Sequence, residues 1–216
     1  MPVPAHLLLD PGIPRSAYRA VDLSTGNPKL GNALRDAGRC QEYLKAFLRE
    51  NGWQVAYGGY LEQRDLYRGF GHFNPKGQQP REYHLGVDFW AQGGTTVHAP
   101  WEGRVHSWAN RDAPGDYGPV ILLEHLLEEG AIFGLYGHLS LESLNGLHAG
   151  KSFRAGERIA CLGSPKENGG YAPHLHFQLI RDLRGNQGDF PGVCAFSELP
   201  FFRKNCPDPM VFLGYF

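Results

Sequence analysis

The stretch Pro173-His174-Leu175-His176-Phe177-Gln178-Leu179-Ile180 decides how the rest of the chain is read. Residues two apart in a β-strand point to one face. The alternation therefore sets His174 and His176 on one side and Leu175, Phe177 and Leu179 on the other. Along a strand the two histidine Cα atoms stand roughly 6.6 Å apart, close enough for both rings to enter one pocket. One ring can then ligate a metal while the other faces a water on that metal. With the apolar residues turned into a core, such a strand is half-buried and lines a cleft.

Outward from this strand, the sequence from Tyr83 onward breaks into short apolar segments separated by Gly and Pro. Gly86–Trp90, Gly103–Trp108, Val120–His125, Ala131–Tyr136, Arg158–Leu162 and His174–Ile180 are strand candidates, and their spacing predicts an antiparallel all-β core. Leu141–Leu147 reads as one short helix. Upstream, Leu34, Ala37, Leu44, Phe47 and Leu48 fall at helical spacing within Asn32–Asn51, and Gly52 stands where such a helix stops. Trp53–Tyr67 reads as extended, and Phe73-Asn74-Pro75-Lys76-Gly77 as a loop. Beyond Arg181 the chain is rich in Gly and Pro through Cys206-Pro207-Asp208-Pro209 and reads as a loop wrapping the core. The expected fold is mainly β, an antiparallel sheet forming a cleft. Residues 1–75 form a helix-containing extension packed on the core, and residues 76–216 form the β domain with its loop-rich tail.

Composition limits the function classes. With 21 basic and 22 acidic residues, the chain has no charge excess to draw in nucleic acid or an anionic membrane. Its apolar runs are too short to span a bilayer. Cys40, Cys161, Cys194 and Cys206 form no C-x-x-C pair, which argues against a thiolate zinc knuckle. They read as buried or idle thiols, with a Cys194–Cys206 disulfide as the alternative. Met1–Ser16 lacks a basic start followed by an apolar core. The default expectation is therefore a cytoplasmic protein with reduced thiols, periplasmic or exported placement remaining open.

His84 and Asp88 are the candidates to join the His174–His176 pair. In fully extended chain the Cα atoms of residues four apart lie roughly 13 Å apart, too far for both to reach one ion. The segment must bend, and Gly86 is where it can. Two His and one carboxylate make a catalytic zinc set that leaves one position for water. Zinc makes that water acidic and polarises a carbonyl. His138 and His174 remain as proton acceptor and oxyanion stabiliser. There is no H-E-x-x-H motif, which excludes the thermolysin arrangement. His125, at the end of an apolar strand, reads as structural, as do His6, His72, His98, His106 and His148. Asn168 and Tyr171, in a Gly-rich loop expected to be mobile, are candidates to line the cleft.

The order of these motifs resembles the lysostaphin/LytM-type zinc metallopeptidases, which cut peptide cross-links in bacterial cell walls. The resemblance runs from His84 to Gln178. It comprises His84-Leu85-Gly86-Val87-Asp88-Phe89, Gly94–Pro100, Gly103-Arg104-Val105, Tyr117 through His125, Tyr136–Leu139, Gly156–Gly163 and Pro173–Phe177. It implies a small antiparallel β-sheet cleft with zinc ligands at His84, Asp88 and His176. It also implies that His138 and His174 flank water and substrate, without saying which of them is the base. The flanks, Val21–Ser24 and Gly188–Cys194 with Cys206-Pro207-Asp208-Pro209, resemble a subgroup of these domains embedded in larger intracellular proteins with kinase-like and aminotransferase modules. The implied activity is zinc-dependent hydrolysis of a peptide bond, with a peptidoglycan stem or cross-link peptide as partner. The alternatives are a non-catalytic zinc-binding or regulatory module and a hydrolase of a non-wall peptide or amide.

Overall fold

The computed structural model describes residues 5–30, 37–64, 77, 79–128 and 130–215. In chain order the strands are β1 (Tyr18–Ala20), β2 (Val55–Gly58), β3 (Tyr83–His84), β4 (Val87–Trp90), β5 (Thr96–His98) and β6 (Gly103–Arg111). They continue with β7 (Gly118–Leu127), β8 (Gly130–Gly137), β9 (Ser152–Phe153), β10 (Arg158–Cys161), β11 (His174–Ile180) and β12 (Val193–Cys194). The helices are α1 (Ala37–Glu50), α2 (Leu199–Asn205) and α3 (Pro209–Leu213). Eight strands make one sheet in the order β1-β2-β4-β11-β8-β7-β6-β9, antiparallel throughout except for β1 beside β2. β10 with β5 and β12 with β3 form two small antiparallel pairs.

β11 lies at the centre, paired with β4 on one side and β8 on the other, and all seven of its residues are buried. Its alternation divides the molecule. Leu175, Phe177 and Leu179 join Val87, Phe89 and Tyr136 in the larger apolar core. The opposite face carries His174, His176 and Gln178, then Ile180, which enters a second core with Leu85, Leu122 and Phe190. The half-buried strand expected from the sequence is thus buried on both faces, because the tail covers the far end of its polar face.

The expected bend at Gly86 separates β3 from β4, and the chain changes sheets there. A Cβ at Gly86 would stand 2.7 Å from Phe177 O and 2.8 Å from His176 Cε1, so the backbone must pass bare against β11. α1 packs Cys40 and Leu44, one turn apart, against Leu23, Ala56 and Trp90. Gly52 follows it with φ of 68°, the left-handed conformation that ends helices. The expected helical positions 32–36 and most of the loop 73–77 lie outside the described residues.

Two local expectations change. Leu141–Leu147 narrows to a single 3-10 turn at Leu141–Leu144. The tail expected as loop carries α2 and α3. Asp208 caps α3 by accepting from Met210 N at 2.9 Å, and Pro209 takes the first position, where a missing N–H costs nothing. All four cysteines are free thiols, and Cys194 and Cys206 are both buried. Among the described residues no helix is long and apolar enough to cross a membrane.

Candidate metal centre

Asp88 and His176 are directly opposed in the β4–β11 register, and His84 reaches them across the Gly86 bend. His84 Nε2 lies 2.8 Å from His176 Nδ1 and 3.3 Å from Asp88 Oδ1. His176 Nδ1 is 3.1 Å from the same carboxylate oxygen. Ligands about 2.0–2.1 Å from a tetrahedral zinc are separated by about 3.3 Å, so these three atoms have the spacing of one tetrahedral face. Among the described residues, the mutually close donors are these three, the number that leaves one corner open.

The hydrogen bonds behind the rings decide which nitrogens carry lone pairs. His84 Nδ1–H donates to Gly59 O at 2.9 Å, leaving Nε2 bare toward the cluster. Gln178 spends its amide donors on Pro191 O and Cys206 Sγ, so its Oε1 accepts from His176 Nε2–H at 3.0 Å and leaves Nδ1 bare. Two bare nitrogens 2.8 Å apart beside a carboxylate call for a cation between them. Burial lowers the His84 pKa to about 4 and keeps the ring neutral. Burial pushes the Asp88 carboxyl up, but the neighbouring His84 ring and the Arg64 guanidinium outweigh it and hold the group ionised. A neutral imidazole and a carboxylate are the forms a metal binds.

A sequence model of peptidase family M23 matches residues 82–189, half of the chain. The chain belongs to peptidase family M23. An uncharacterized metalloprotease of Haemophilus influenzae is 37% identical over 110 residues, which is 49% of this chain and 21% of that protein. The M23 chain thus spans about a fifth of that curated relative. Among solved structures, the catalytic domain of lysostaphin from Staphylococcus simulans is 25% identical, with 71% of this chain and 94% of that one covered and a TM-score of 0.39. Helicobacter pylori Csd3 is 27% identical over 58% of this chain and 33% of that one, with a TM-score of 0.37. M23 peptidases are zinc-dependent, and the donor set of this M23 chain fits that metal in number, kind and spacing.

His138 and His174 stand beside the cluster with ring centroids 4.2 Å apart. Each donates its Nδ1–H to a backbone carbonyl, His138 to Asn168 at 2.8 Å and His174 to Ala172 at 2.7 Å. Each therefore keeps a bare Nε2. Burial lowers both pKa values, and the neighbouring His174 and His176 rings push His138 further down. His138 holds φ of 61°, a left-handed conformation rare for a non-glycine residue, at the end of β8. Its N–H donates to Tyr117 O at 2.9 Å.

A cleft of about 260 Å³ opens over these groups, with Tyr117, Tyr171 and Trp90 in its walls and Leu23 and Cys40 contributed by the extension. The 168–170 loop, expected to be mobile, is tied down by Asn168. Its side chain bonds Gly163 O at 3.3 Å, Tyr171 O at 3.1 Å and Tyr171 N at 3.0 Å. His125 is structural, enclosed between Glu102 O at 2.9 Å and Tyr136 Oη at 3.0 Å. The sequence reading missed Gln178, Gly59 and Arg64. Gln178 was within reach, because it continues the 174–176 alternation by one step.

Proposed function

We propose that this M23 chain is a zinc metalloendopeptidase that hydrolyses a peptide bond, with a peptidoglycan stem or cross-link peptide as its substrate class. The observation that carries the reading is the convergence of His84 Nε2, Asp88 Oδ1 and His176 Nδ1, each with its remaining polar atom already engaged. When bound, zinc supplies Lewis acidity, polarising a carbonyl and making a water more acidic.

The chain's own residues supply the proton handling. His174 Nε2 lies 3.9 Å from Asp88 Oδ1, so a proton arriving there forms an imidazolium beside a carboxylate. His174 is the proton acceptor on this geometry. His138, whose ring lies against that of His174, accepts from the water through its bare Nε2 and so orients it, and it donates to the developing oxyanion once the proton taken up at His174 has passed to that Nε2. Two rings this close do not both carry charge, so one proton moves within the pair. The walls formed by Tyr117 and Tyr171 are held by their hydroxyls, which donate to Phe190 O at 3.0 Å and Gly115 O at 2.7 Å. They position the peptide.

The test is to incubate zinc-loaded protein with peptidoglycan fragments and with a panel of soluble peptides, reading new termini by mass spectrometry. Cleavage of cross-linked or stem fragments is expected. Stoichiometric zinc with no cleavage anywhere in the panel contradicts the enzyme reading and favours a binding module. Cleavage confined to soluble peptides contradicts the substrate class alone.

A further inference from the structure

We infer that the segment 59–64, which lies outside the family-matched residues 82–189, forms the outer shell of the metal centre, and that Arg64 is a positioning residue restricting Asp88 to one oxygen. The inference rests on the zinc reading above and goes beyond it to a part of the chain the family does not define.

The segment reaches the site through its backbone. Leu61 N donates to His84 O at 2.8 Å, His84 N to Glu62 O at 3.0 Å and Arg64 N to Glu82 O at 2.9 Å. With the Gln63–Tyr83 bridge, these bonds lay the segment along β3 on the edge opposite β12. His84 is thus held from both sides, and Gly59 O fixes its tautomer.

Arg64 acts on the second ligand. Its Nη1 donates to Asp88 Oδ2 at 2.5 Å and its Nε to Glu62 Oε2 at 2.5 Å. Glu62 Oε1 in turn accepts from Leu23 N at 3.0 Å. The guanidinium is 1% exposed and lies 5.5 Å over the Trp90 ring. A buried cation held by two carboxylates stays where it is placed, because losing either partner strands a charge. With Oδ2 taken, Asp88 presents Oδ1 alone to His84 and His176. A change at Arg64 frees Asp88 Oδ2 and also leaves Glu62 Oε2 without its donor. Gly59, with φ of 105°, completes the fit, since a Cβ there would overlap the Arg64 guanidinium and stand 3.0 Å from His84 Nδ1.

Cobalt(II) substituted for zinc reads this directly, since its visible absorption is strong in four-coordinate sites and weak in five- or six-coordinate ones. The parent should show the strong spectrum. Arg64→Met should weaken it, as the freed second oxygen of Asp88 enters the coordination sphere, and should lower metal affinity in a chelator competition about 10–100-fold. Arg64→Lys, with a single donor head instead of a fork, should fall between the two and carries the same readout should Arg64→Met not fold. Glu62→Gln, whose single oxygen can still accept from Nε, should weaken the spectrum less than Arg64→Met. Arg64 variants with the parent's spectrum and affinity overturn the positioning role while leaving the zinc reading intact. A parent that takes up neither cobalt nor zinc overturns the zinc reading, and this inference with it.

Discussion

Around the cluster each imidazole is committed to one tautomer by the acceptor behind it, and the acceptors differ in kind. Three are backbone carbonyls, of Gly59, Asn168 and Ala172. The fourth is the Gln178 side chain, so it alone can be removed by substitution. Gln178→Leu should free the His176 ring to choose the other tautomer and cost about 10–100-fold in zinc affinity, measured by chelator competition. His138→Ala should do the reverse, keeping zinc and losing about 10²–10⁴-fold in turnover on whichever peptide the parent cleaves. Equal zinc affinity in Gln178→Leu and the parent would show that the carboxamide does not set the tautomer. At this scale the three converging side chains were legible because polar residues recurred on one face of an apolar strand and in ordered motifs. Arg64 was not, because nothing local marks a lone Arg in a polar segment as the partner of a carboxylate 24 residues on.

The element that makes the site is the broken strand 83–90, with β3 in one sheet and β4 in another. Gly86 sits at the break, hard against Phe177 O and the His176 ring. Gly86→Ala should therefore force β4 away from β11, destabilising the fold by about 1–3 kcal/mol in denaturant unfolding and weakening zinc binding with it. A variant as stable as the parent, with unchanged zinc affinity, would mean that the close approach is not required. The strands delimited in the sequence all have four residues or more, whereas the four-residue β2 was only part of an extended stretch. β3, β9 and β12 have two residues each, too few for a period to register, and their pairing is dictated by partners distant in sequence. The helices α2 and α3 escaped because their residues looked like Gly/Pro loop material, although Asp208-Pro209 is a helix start in its own right.

Across the whole molecule, one sheet separates a large apolar core from the face that carries the chemistry, and residues of the extension continue that sheet past β4. The large core has its own acid-sensitive point at His125, which is fully buried and whose pKa burial lowers to about 4. The unfolded chain takes up this proton near pH 6.5 and the folded chain only near 4. The stability His125 contributes is therefore complete above about pH 6.5 and is lost as the pH falls toward 4. His125→Gln should flatten the fall in melting temperature between pH 7 and 4, and an unchanged slope would exonerate that ring. Over the whole chain the antiparallel cleft was legible from strand spacing, whereas the part the first 64 residues play in the site was not, since it depends on a backbone carbonyl and a tertiary ion pair.

The account turns on one ion shared by three side chains, and an anomalous-scattering map at the zinc edge, from crystals grown without added metal, tests it most directly. A single peak about 2.0–2.2 Å from His84 Nε2, Asp88 Oδ1 and His176 Nδ1 is the predicted result. No peak at that point, or a peak reached through His176 Nε2 instead, would contradict it.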